Sequence, residues 1–372
     1  MRKMVTVRTI NEVLPIEGAD NIELLKLDGW QCVSGKGNFS PGDFAVYFEI
    51  DAFVPTADPR FDFLSKNAIT WNEKVGARIK TIKLRGELSQ GLCLPLSEFP
   101  EINGTWSEDE VTGEPIDFSV LLGVEKWEPT IPAQLAGKIK GGYPSFIPKT
   151  DQERIQNLWG KLKDPKSKKE YGGRDEDGNV ILLDVDKPNP LAGYTYEVTV
   201  KLDGSSMTVY IDKDGNFGVC SRNLDLIETD DNAFWKVTRR DGLEEKLREM
   251  FVVWGPIAIQ GELIGPGIQG NHENLKELEF RAFDIFDIEE QKYIEPYLRR
   301  VLLDEYNFEH VPIIFNRVSL NEYETIEDIL VAAEGPSLHA MTREGIVFKS
   351  NENSAFSFKA ISNKYLLKHG DR

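Results

Sequence analysis

Short apolar runs separated by turn residues dominate the first third of the chain. Runs such as 44–50 are rich in β-branched and aromatic residues and are bounded by Gly, Pro and Asp, which is typical of strands joined by turns. The segment 78–85 alternates charged and apolar residues, but the alternation changes phase between Ile79 and Ile82. Because a bulge bends a strand, this change indicates a bulged strand of a small closed barrel. The pattern predicts an all-β domain with a small closed barrel over residues 1–125.

The rest of the chain alternates strand-like runs with amphipathic helical segments. Runs at 194–200, 207–211 and 217–221 predict a meander of three strands, with residues 212–216 as the turn between the last two. Apolar residues at helical spacing predict two helices, one with Leu243, Leu247, Met250 and Phe251, and one with Ile326, Ile329 and Leu330 that begins at a capping box at 319–322. The pattern predicts an α+β domain of antiparallel sheets with flanking helices.

The two predicted domains are joined by a segment with repeated Pro and Gly, at residues 126–148. The second domain is then expected to cover residues 149–372. Directly after the connection, Thr150 or Asp151 is expected to cap a short helix.

Length and composition narrow the class of protein. A chain of 372 residues is longer than one ordinary core requires and agrees with two domains. Because no run of about 18 apolar residues and no apolar signal core occur, we expect a soluble, cytoplasmic protein with no membrane segment. Cys32, Cys93 and Cys220 lie far apart without the spacing of a metal site, which predicts reduced, buried thiols.

The net charge of −18 argues against indiscriminate binding to nucleic acid, because phosphate contacts need local Lys and Arg. Any nucleic-acid site must therefore be a local basic track. The candidates are Arg78, Lys80, Lys83 and Arg85 in the first half, and Lys161, Lys163, Lys166, Lys168 and Lys169 in the second. Each track is equally compatible with a solvated surface.

One lysine stands at the end of an extended apolar run and before a glycine turn. Lys201 ends the run 194–200 and opens a Lys-Leu-Asp-Gly sequence. Because alternate side chains of a strand share a face, Glu197 and Lys201 should point into one polar pocket. Such a lysine can become a covalent nucleophile if burial, a metal ion or nearby cations lower its pKa. A lone motif of this kind is also a common solvated strand end, so it needs support from elsewhere.

Further motifs follow in a fixed order, at 221–223, 261–267, 280–285, 344–349 and 358–365. Together with 201–204, this series resembles the nucleotidyltransferase motifs of ATP-dependent RNA ligases, over roughly residues 145–369. The barrel resembles, more weakly, the amino-terminal OB-like module of one branch of that family, the Deinococcus and Naegleria type. An OB barrel offers a groove for nucleic acid, although any small barrel would give a similar pattern.

The resemblance implies a role for each motif residue. Lys201 would take AMP from ATP as a covalent adduct, and Asp203 and Lys359 would complete the catalytic set. The residues implied to bind the nucleotide are Arg154, Lys201, Arg222, Glu262, Phe283, Lys349 and Lys359. Among them Phe283 would stack on adenine, and Lys349 and Lys359 would bind phosphate.

A divalent ion is also implied, with Asp203, Glu262 and Glu344 as its carboxylates. These hard oxygen ligands suit Mg²⁺ or Mn²⁺ held partly through water. The alternative for either glutamate is a salt bridge to a lysine or a hydrogen bond to ribose.

The sequence therefore predicts an ATP-dependent RNA ligase, acting as a monomer on nicked RNA or an RNA-containing duplex. DNA ligases and capping guanylyltransferases carry another OB domain after the last motif, so the end of the sequence at Arg372 disfavours both. Two departures from the family are Val200, where many relatives have Glu, and Ile361, where a second lysine is common; Lys364 is its candidate substitute. A GTP-using nucleotidyltransferase and a non-catalytic nucleic-acid-binding protein on a ligase fold remain as alternatives.

Overall fold

The computed structural model describes residues 2–103, 115–128, 138–162, 169–174, 180–184 and 193–370. The backbone forms two compact units, the first with residues 1–130, 156–192 and 366–372, and the second with residues 131–155 and 193–365. The boundaries taken from the sequence, at 125 and 148, stay a prediction. Part of the predicted connection (129–137) and three of the candidate basic residues, Lys163, Lys166 and Lys168, lie outside the described residues.

Among the described residues, no helix is long and apolar enough to cross a membrane. Cys32, Cys93 and Cys220 are buried and free, as predicted.

The first unit begins with a series of short strands. They are β1 (Val5–Thr9), β2 (Glu12–Pro15), β3 (Ile22–Leu27), β4 (Trp30–Gly35), β5 (Phe44–Phe48), β6 (Ala52–Pro55), β7 (Ile69–Trp71), β8 (Lys74–Arg78), β9 (Thr81–Leu84), β10 (Glu87–Gln90), β11 (Leu92–Pro95) and β12 (Glu125–Lys126). Between them lie the 3₁₀ helices Pro59–Asn67 and Leu96–Glu98 and the short helix α1 (Pro100–Asn103). They pair antiparallel in the orders β1-β5-β11, β2-β3-β4, β12-β6-β8-β7 and β9-β10. The predicted all-β character of this region is confirmed.

Strand β5 organises the core of this unit because both of its faces are apolar. Val46 and Phe48 pack into one apolar cluster, whereas Ala45 and Tyr47 pack into a second cluster on the opposite face. The alternation of side chains along a strand therefore fills two layers of core from one segment. Burial of this kind is what a central barrel strand requires.

The bulged strand predicted at 78–85 is wrong, because two separate strands meet there. β8 ends at Arg78, and β9 begins at Thr81 to pair with β10. Ile79 is buried, whereas Ile82 is 49% exposed. The change of phase in the sequence marks a change of sheet.

The remaining strands build two larger sheets and one hairpin. They are β13 (Ile139–Gly142), β14 (Glu153–Arg154), β15 (Lys169–Arg174), β16 (Val180–Asp184), β17 (Thr195–Lys201), β18 (Ser205–Ile211), β19 (Phe217–Ser221), β20 (Leu224–Leu226), β21 (Ile257–Ile264), β22 (Glu279–Asp287), β23 (Lys292–Tyr293), β24 (Ile313–Ser319), β25 (Gly345–Ser350) and β26 (Ser357–Ile361). One sheet has the order β13-β20-β19-β18-β21-β22-β23, the other β14-β26-β25-β17-β24, and β15 pairs with β16.

Helices flank the sheets of the second unit, as an α+β domain predicts. They are α3 (Ala233–Arg240), α4 (Leu243–Trp254), α5 (Pro296–Glu305) and α6 (Ile326–Ala332). The short helix α2 (Trp159–Leu162) belongs to the first unit, and α7 (Asn363–His369) spans the boundary of the units in the sequence. The predicted stripe of α4 is buried at Leu243, Leu247 and Met250. The predicted start of α6 is wrong, because the box at 319–322 caps a 3₁₀ turn and α6 has its own box from Thr325 and Asp328.

The predicted meander is also wrong, because β17 and β18 belong to different sheets. Only β18 and β19 form the expected hairpin. The turn at 202–204 therefore carries the chain from one sheet to the other, and Lys201 stands where the two sheets meet. A Cβ at Gly204 would clash with the Leu263 carbonyl oxygen and with the Glu262 side chain, so glycine permits this close approach to β21.

Candidate active site

Lys201 and Glu344 meet because their strands are neighbours. Lys201, the last residue of β17, lies opposite Gly345 at the start of β25, and Glu344 directly precedes that strand. Lys201 Nζ donates a hydrogen bond to Glu344 Oε2 at 2.6 Å, and the two side chains are 23% and 19% exposed. The structure thus brings together the first and the fifth of the predicted motifs.

The electrostatic environment of Lys201 differs from the expectation that the site lowers its pKa. Burial alone would lower the pKa of Lys201, but the carboxylates of Glu344, Glu262 and Asp203 together raise it above its ordinary value. In the protein alone, the amine is therefore held in its charged form. A nucleophilic role requires a proton acceptor or additional positive charge in the loaded site.

Glu262 reaches the same cluster from β21, where it lies opposite Ser206 of β18. Burial is the largest cause that raises the pKa of Glu262, to about 8, and the charges of Glu344 and Asp203 add to it while Lys201 opposes them. The parity of β21 predicted this orientation. The charges of the two neighbouring carboxylates disfavour a further negative charge on Glu262.

Asp203 is held by a residue of the last motif. It is 7% exposed, and Tyr365 Oη donates a hydrogen bond to Asp203 Oδ2 at 2.5 Å. Tyr365 lies in α7, and its ring packs against His272 with ring centroids 5.3 Å apart. No role was predicted for Tyr365 from the sequence, apart from its place in the last motif. This bond fixes the turn that follows Lys201.

The three carboxylates predicted to bind a divalent ion belong to Asp203, Glu262 and Glu344. Among the described residues, no group of three or more His, Cys, Asp or Glu side chains is arranged to hold a metal ion directly. Burial, together with the charges of Glu344 and Asp203, raises the pKa of Glu262, and a divalent cation beside these carboxylates would favour its ionised form. The donor set therefore fits an ion that keeps part of its water shell, with only one or two direct carboxylate ligands.

The segment 149–154 lies beside the two sheets in a form that the sequence did not predict. Glu153–Arg154 form β14, which runs parallel to β26 and places Arg154 opposite Lys359. The expected helix cap at Thr150 or Asp151 is therefore wrong. Arg154 is 6% exposed, so the structure buries this predicted nucleotide-binding residue beside a second one.

Asp151 bridges two of the cations that the motifs predicted as ligands. Its Oδ1 lies 3.6 Å from Lys359 Nζ, and its Oδ2 lies 3.5 Å from Arg222 Nη2. Lys359 is 16% exposed and Arg222 is 59% exposed, so both can be approached from solvent. Sequence reasoning missed this role of Asp151. A phosphate that binds the same cations must compete with its carboxylate.

Lys349 is placed differently from the other predicted cations. Its Nζ forms an ion pair with Asp284, and both side chains are buried. Burial lowers the pKa of Lys349 to about 7, against the opposing effect of Glu197. Lys349 lies opposite Glu197, four residues along β25 from the partner of Lys201, or about 13 Å at the rise of a strand. This geometry does not bring it to Lys201.

The buried pair belongs to a larger ionic network on the polar face of β17. Glu197, fully buried, accepts hydrogen bonds from Arg299 and Arg300, and Arg299 Nη1 also lies 3.6 Å from Asp284 Oδ1. The parity of β17 correctly placed Glu197 and Lys201 on one face. At the far end of that face Glu197 is fully buried, whereas the Lys201 side chain is 23% exposed.

Phe283, the predicted adenine platform, is half-buried at the junction of the sheets. It packs against an apolar cluster that contains Val200 and Leu202, the two neighbours of Lys201 in the chain. Stacking on adenine stays a prediction for this residue. Its position next to Lys201 in the fold is compatible with that role.

The chain is similar to known proteins over its whole length. Two family models match, an OB-fold domain over residues 4–96 and RNA ligase over residues 195–365. Among solved structures, a mutant of Naegleria gruberi RNA ligase with AMP and Mn is 44% identical with a TM-score of 0.80, and each chain is covered over 100% of its length. Another mutant of that enzyme with ATP and Mn has a TM-score of 0.79, and the enzyme with PPi has 0.78, both at 44% identity and 100% coverage of both chains. No curated protein sequence matches the chain.

Proposed function

This chain belongs to the RNA ligase family as an ATP-dependent RNA ligase, and we propose that it seals nicks between a 3′-hydroxyl and a 5′-phosphate in RNA or RNA-containing duplexes. The observation that carries the proposal is the position of Lys201. Its amine lies at the junction of two sheets, within hydrogen-bond distance of Glu344 and in the field of Glu262 and Asp203.

In the first step, Lys201 Nζ attacks the α-phosphorus of ATP. A phosphorus–nitrogen bond forms, the bond to the bridging oxygen breaks, and pyrophosphate leaves. The attacking amine must lose a proton, and Glu344 Oε2 at 2.6 Å is placed to accept it. A rigid strand holds the amine in position, which avoids the entropy cost of aligning a mobile lysine.

The two later steps regenerate the enzyme. A 5′-phosphate oxygen attacks the phosphorus of the lysyl-AMP, and the phosphorus–nitrogen bond breaks, so that Lys201 recovers its proton. The 3′-hydroxyl oxygen then attacks the activated 5′-phosphorus and releases its proton to solvent. The phosphoanhydride bond to AMP breaks, a phosphodiester forms, and AMP leaves. Arg222 beside the site is exposed and can face the RNA ends.

Charge around the reacting phosphates is balanced by this chain's cations. Lys359 and Arg222 flank the position now taken by the Asp151 carboxylate, and they would bind phosphate oxygens there. Arg154 lies beside Lys359 on the neighbouring strand. A divalent ion, when bound by Glu262, Glu344 or Asp203, would offset their negative charge and so favour the neutral amine.

The alternatives differ from this proposal in one measurable property. A GTP-using nucleotidyltransferase would form the adduct with GMP, and a non-catalytic binding protein would form no adduct. The ATP and AMP complexes of the Naegleria enzyme favour adenylate for this chain too. We also propose that the protein is a monomer in solution.

Incubation with α-labelled ATP or GTP and Mg²⁺, followed by denaturing electrophoresis, tests the proposal. We expect label on the protein from ATP, together with ATP-dependent joining of a nicked RNA duplex. Label from GTP alone would establish the GTP-using alternative, and absence of label from both would leave only nucleic-acid binding. Adduct formation without joining would contradict the ligase assignment.

A further inference from the structure

The hairpin β9–β10 presents an edge strand to solvent. Among the described strands, β9 and β10 form a two-stranded sheet of their own. Residues 82–86 are all exposed, including Ile82 at 49% and Leu84 at 37%. The segment 80–86, called the β9 rim below, therefore projects from the barrel.

The β9 rim is held on a rigid support. β10 is fixed to the barrel through hydrogen bonds from the Gln31 side chain to the Leu88 carbonyl at 2.9 Å and from Tyr47 Oη to the Gln90 carbonyl at 2.8 Å. Leu88 and Gln90 are themselves buried. The β9 rim is exposed because it extends beyond the packed core. The strand β10 that supports it is itself well packed.

The β9 rim carries cations that have no acidic partner. Within the described part of the chain, Lys80, Lys83 and Arg85 form no ion pair, whereas Lys74 pairs with Glu125 and Arg78 pairs with Asp51. Arg78 also lies over the Trp127 ring. Of the four residues of the predicted basic track, Arg78 is therefore paired, and the other three belong to the β9 rim. In a chain of net charge −18, unpaired cations on one projecting strand form a local positive site.

The turn of the hairpin adds an independent indication. Arg85 and Gly86 both have positive φ, at 50° and 96°, as a two-residue hairpin turn requires. Asn, Asp or Gly adopt the backbone conformation of Arg85 most readily. Any other residue destabilises the turn by roughly 1–2 kcal/mol. The chain places an exposed arginine at a position that turn geometry disfavours, which indicates a use for its charge.

We propose that the β9 rim contacts the phosphate backbone of the RNA substrate through Lys80, Lys83 and Arg85. This inference rests on the proposed function and adds to it the surface of the first unit that holds the substrate. The cations supply phosphate contacts, while the exposed Ile82 and Leu84 supply apolar contact to riboses or bases. Base sequence is not read by such contacts.

A different explanation of the lysines is protection of the edge. Exposed edge strands often carry Lys to prevent pairing with another chain. That explanation covers Lys83 in β9 and Lys80 directly before it, but not Arg85 in the turn. It also predicts self-association when the charges are removed, which RNA contact does not.

The test compares two triple variants with the same change in net charge. The rim variant is Lys80→Ala, Lys83→Ala and Arg85→Asn, in which Asn keeps the positive φ of the turn. The control variant is Lys36→Ala, Lys66→Ala and Lys74→Ala, at exposed lysines elsewhere on the same unit. Binding of a nicked RNA duplex is measured across a range of salt concentrations, together with self-adenylylation by ATP and sedimentation.

For the rim variant we expect at least tenfold weaker RNA binding at low salt, and a salt slope smaller by about two to three, at roughly 0.7–0.9 per lost phosphate contact. The control variant should bind with nearly the wild-type slope. Self-adenylylation needs no RNA, so its rate reports on folding and on the proposed function separately from the rim.

Several results would overturn the proposal. Wild-type affinity and slope in the rim variant would remove the rim from the RNA interface. Equal losses in both triple variants would leave only a net-charge effect, and self-association with unchanged RNA binding would establish edge protection. If the turn substitution impairs folding, the Lys80→Ala, Lys83→Ala double variant must still lower the slope by more than one. A wild-type protein without self-adenylylation would refute the proposed function instead.

Discussion

Lys349 Nζ forms an ion pair with Asp284 in the interior of the catalytic unit, where each side chain is 5% exposed. The pair joins β25 to β22 and adjoins the Glu197–Arg299 network. A lysine in this environment supports the fold near the site, whereas the family motif implied a phosphate ligand.

Lys349→Met should therefore act on stability first. Removing one partner leaves Asp284 buried without the ammonium group, at a cost of about 3–5 kcal/mol in the free energy of unfolding. Lys359→Met, on the neighbouring strand, should change stability by less than about 1 kcal/mol and lower self-adenylylation at least tenfold. Urea unfolding and adenylylation rates separate the two variants. A stable Lys349→Met protein that only fails to bind nucleotide would restore the phosphate role.

Glu344→Gln should have opposite effects on two reactions of Lys201, its chemical modification and its adenylylation. The carboxylate of Glu344 raises the pKa of Lys201, so its neutralisation lowers that pKa and increases the neutral amine at any given pH. Chemical modification of Lys201 in the nucleotide-free protein should therefore speed up near pH 9, while self-adenylylation falls more than tenfold for lack of the proton acceptor. Peptide mass spectrometry measures the first rate, with Glu309→Gln as control. Slower modification in the variant would contradict this electrostatic assignment.

The raised pKa of Glu262 has a consequence for stability. Because its pKa is about 8 in the folded protein against 4.5 ordinarily, the folded state binds more protons than the unfolded state between these values. The free energy of unfolding should therefore fall as pH rises from about 4.5 to 8, and Glu262→Gln should remove that component. Urea unfolding of both proteins at several pH values, without metal, measures the difference. Parallel pH curves would show that Glu262 titrates normally.

Asp151→Asn tests competition at the predicted phosphate site. The Asp151 carboxylate lies between Lys359 and Arg222, so its neutralisation should release both for an incoming anion. We expect pyrophosphate to bind roughly five- to tenfold more tightly, or about 1–1.4 kcal/mol. Calorimetry on both proteins provides the comparison. Weaker binding by the variant would mean that Asp151 positions the two cations.

Local patterns predicted much of the site, because they depend on strand parity and turn chemistry. Alternation along β17 and β21 placed Lys201 and Glu262 towards one cavity, and the Lys-Leu-Asp-Gly sequence located the turn that joins the sheets. The short apolar run at 44–50 likewise predicted a strand, and β5 covers Phe44–Phe48.

What the sequence did not predict depends on contacts between distant segments. Nothing near Lys349 shows that Asp284 and Tyr293 close over it, and nothing near Asp151 shows that two cations converge on it. The assignment of β17 and β18 to different sheets has the same origin, since their partners lie later in the chain. Long-range pairing decided these features.

The attachment site of AMP tests the central claim most directly. After incubation with ATP and Mg²⁺, peptide mass spectrometry should find AMP on Lys201 in the wild-type protein and on no residue of Lys201→Ala, because no other amine occupies that position. The same variant should still seal a nick that already carries AMP on its 5′-phosphate, since that step no longer needs the lysine. AMP on Lys349 or Lys359, or undiminished labelling of Lys201→Ala, would contradict the account.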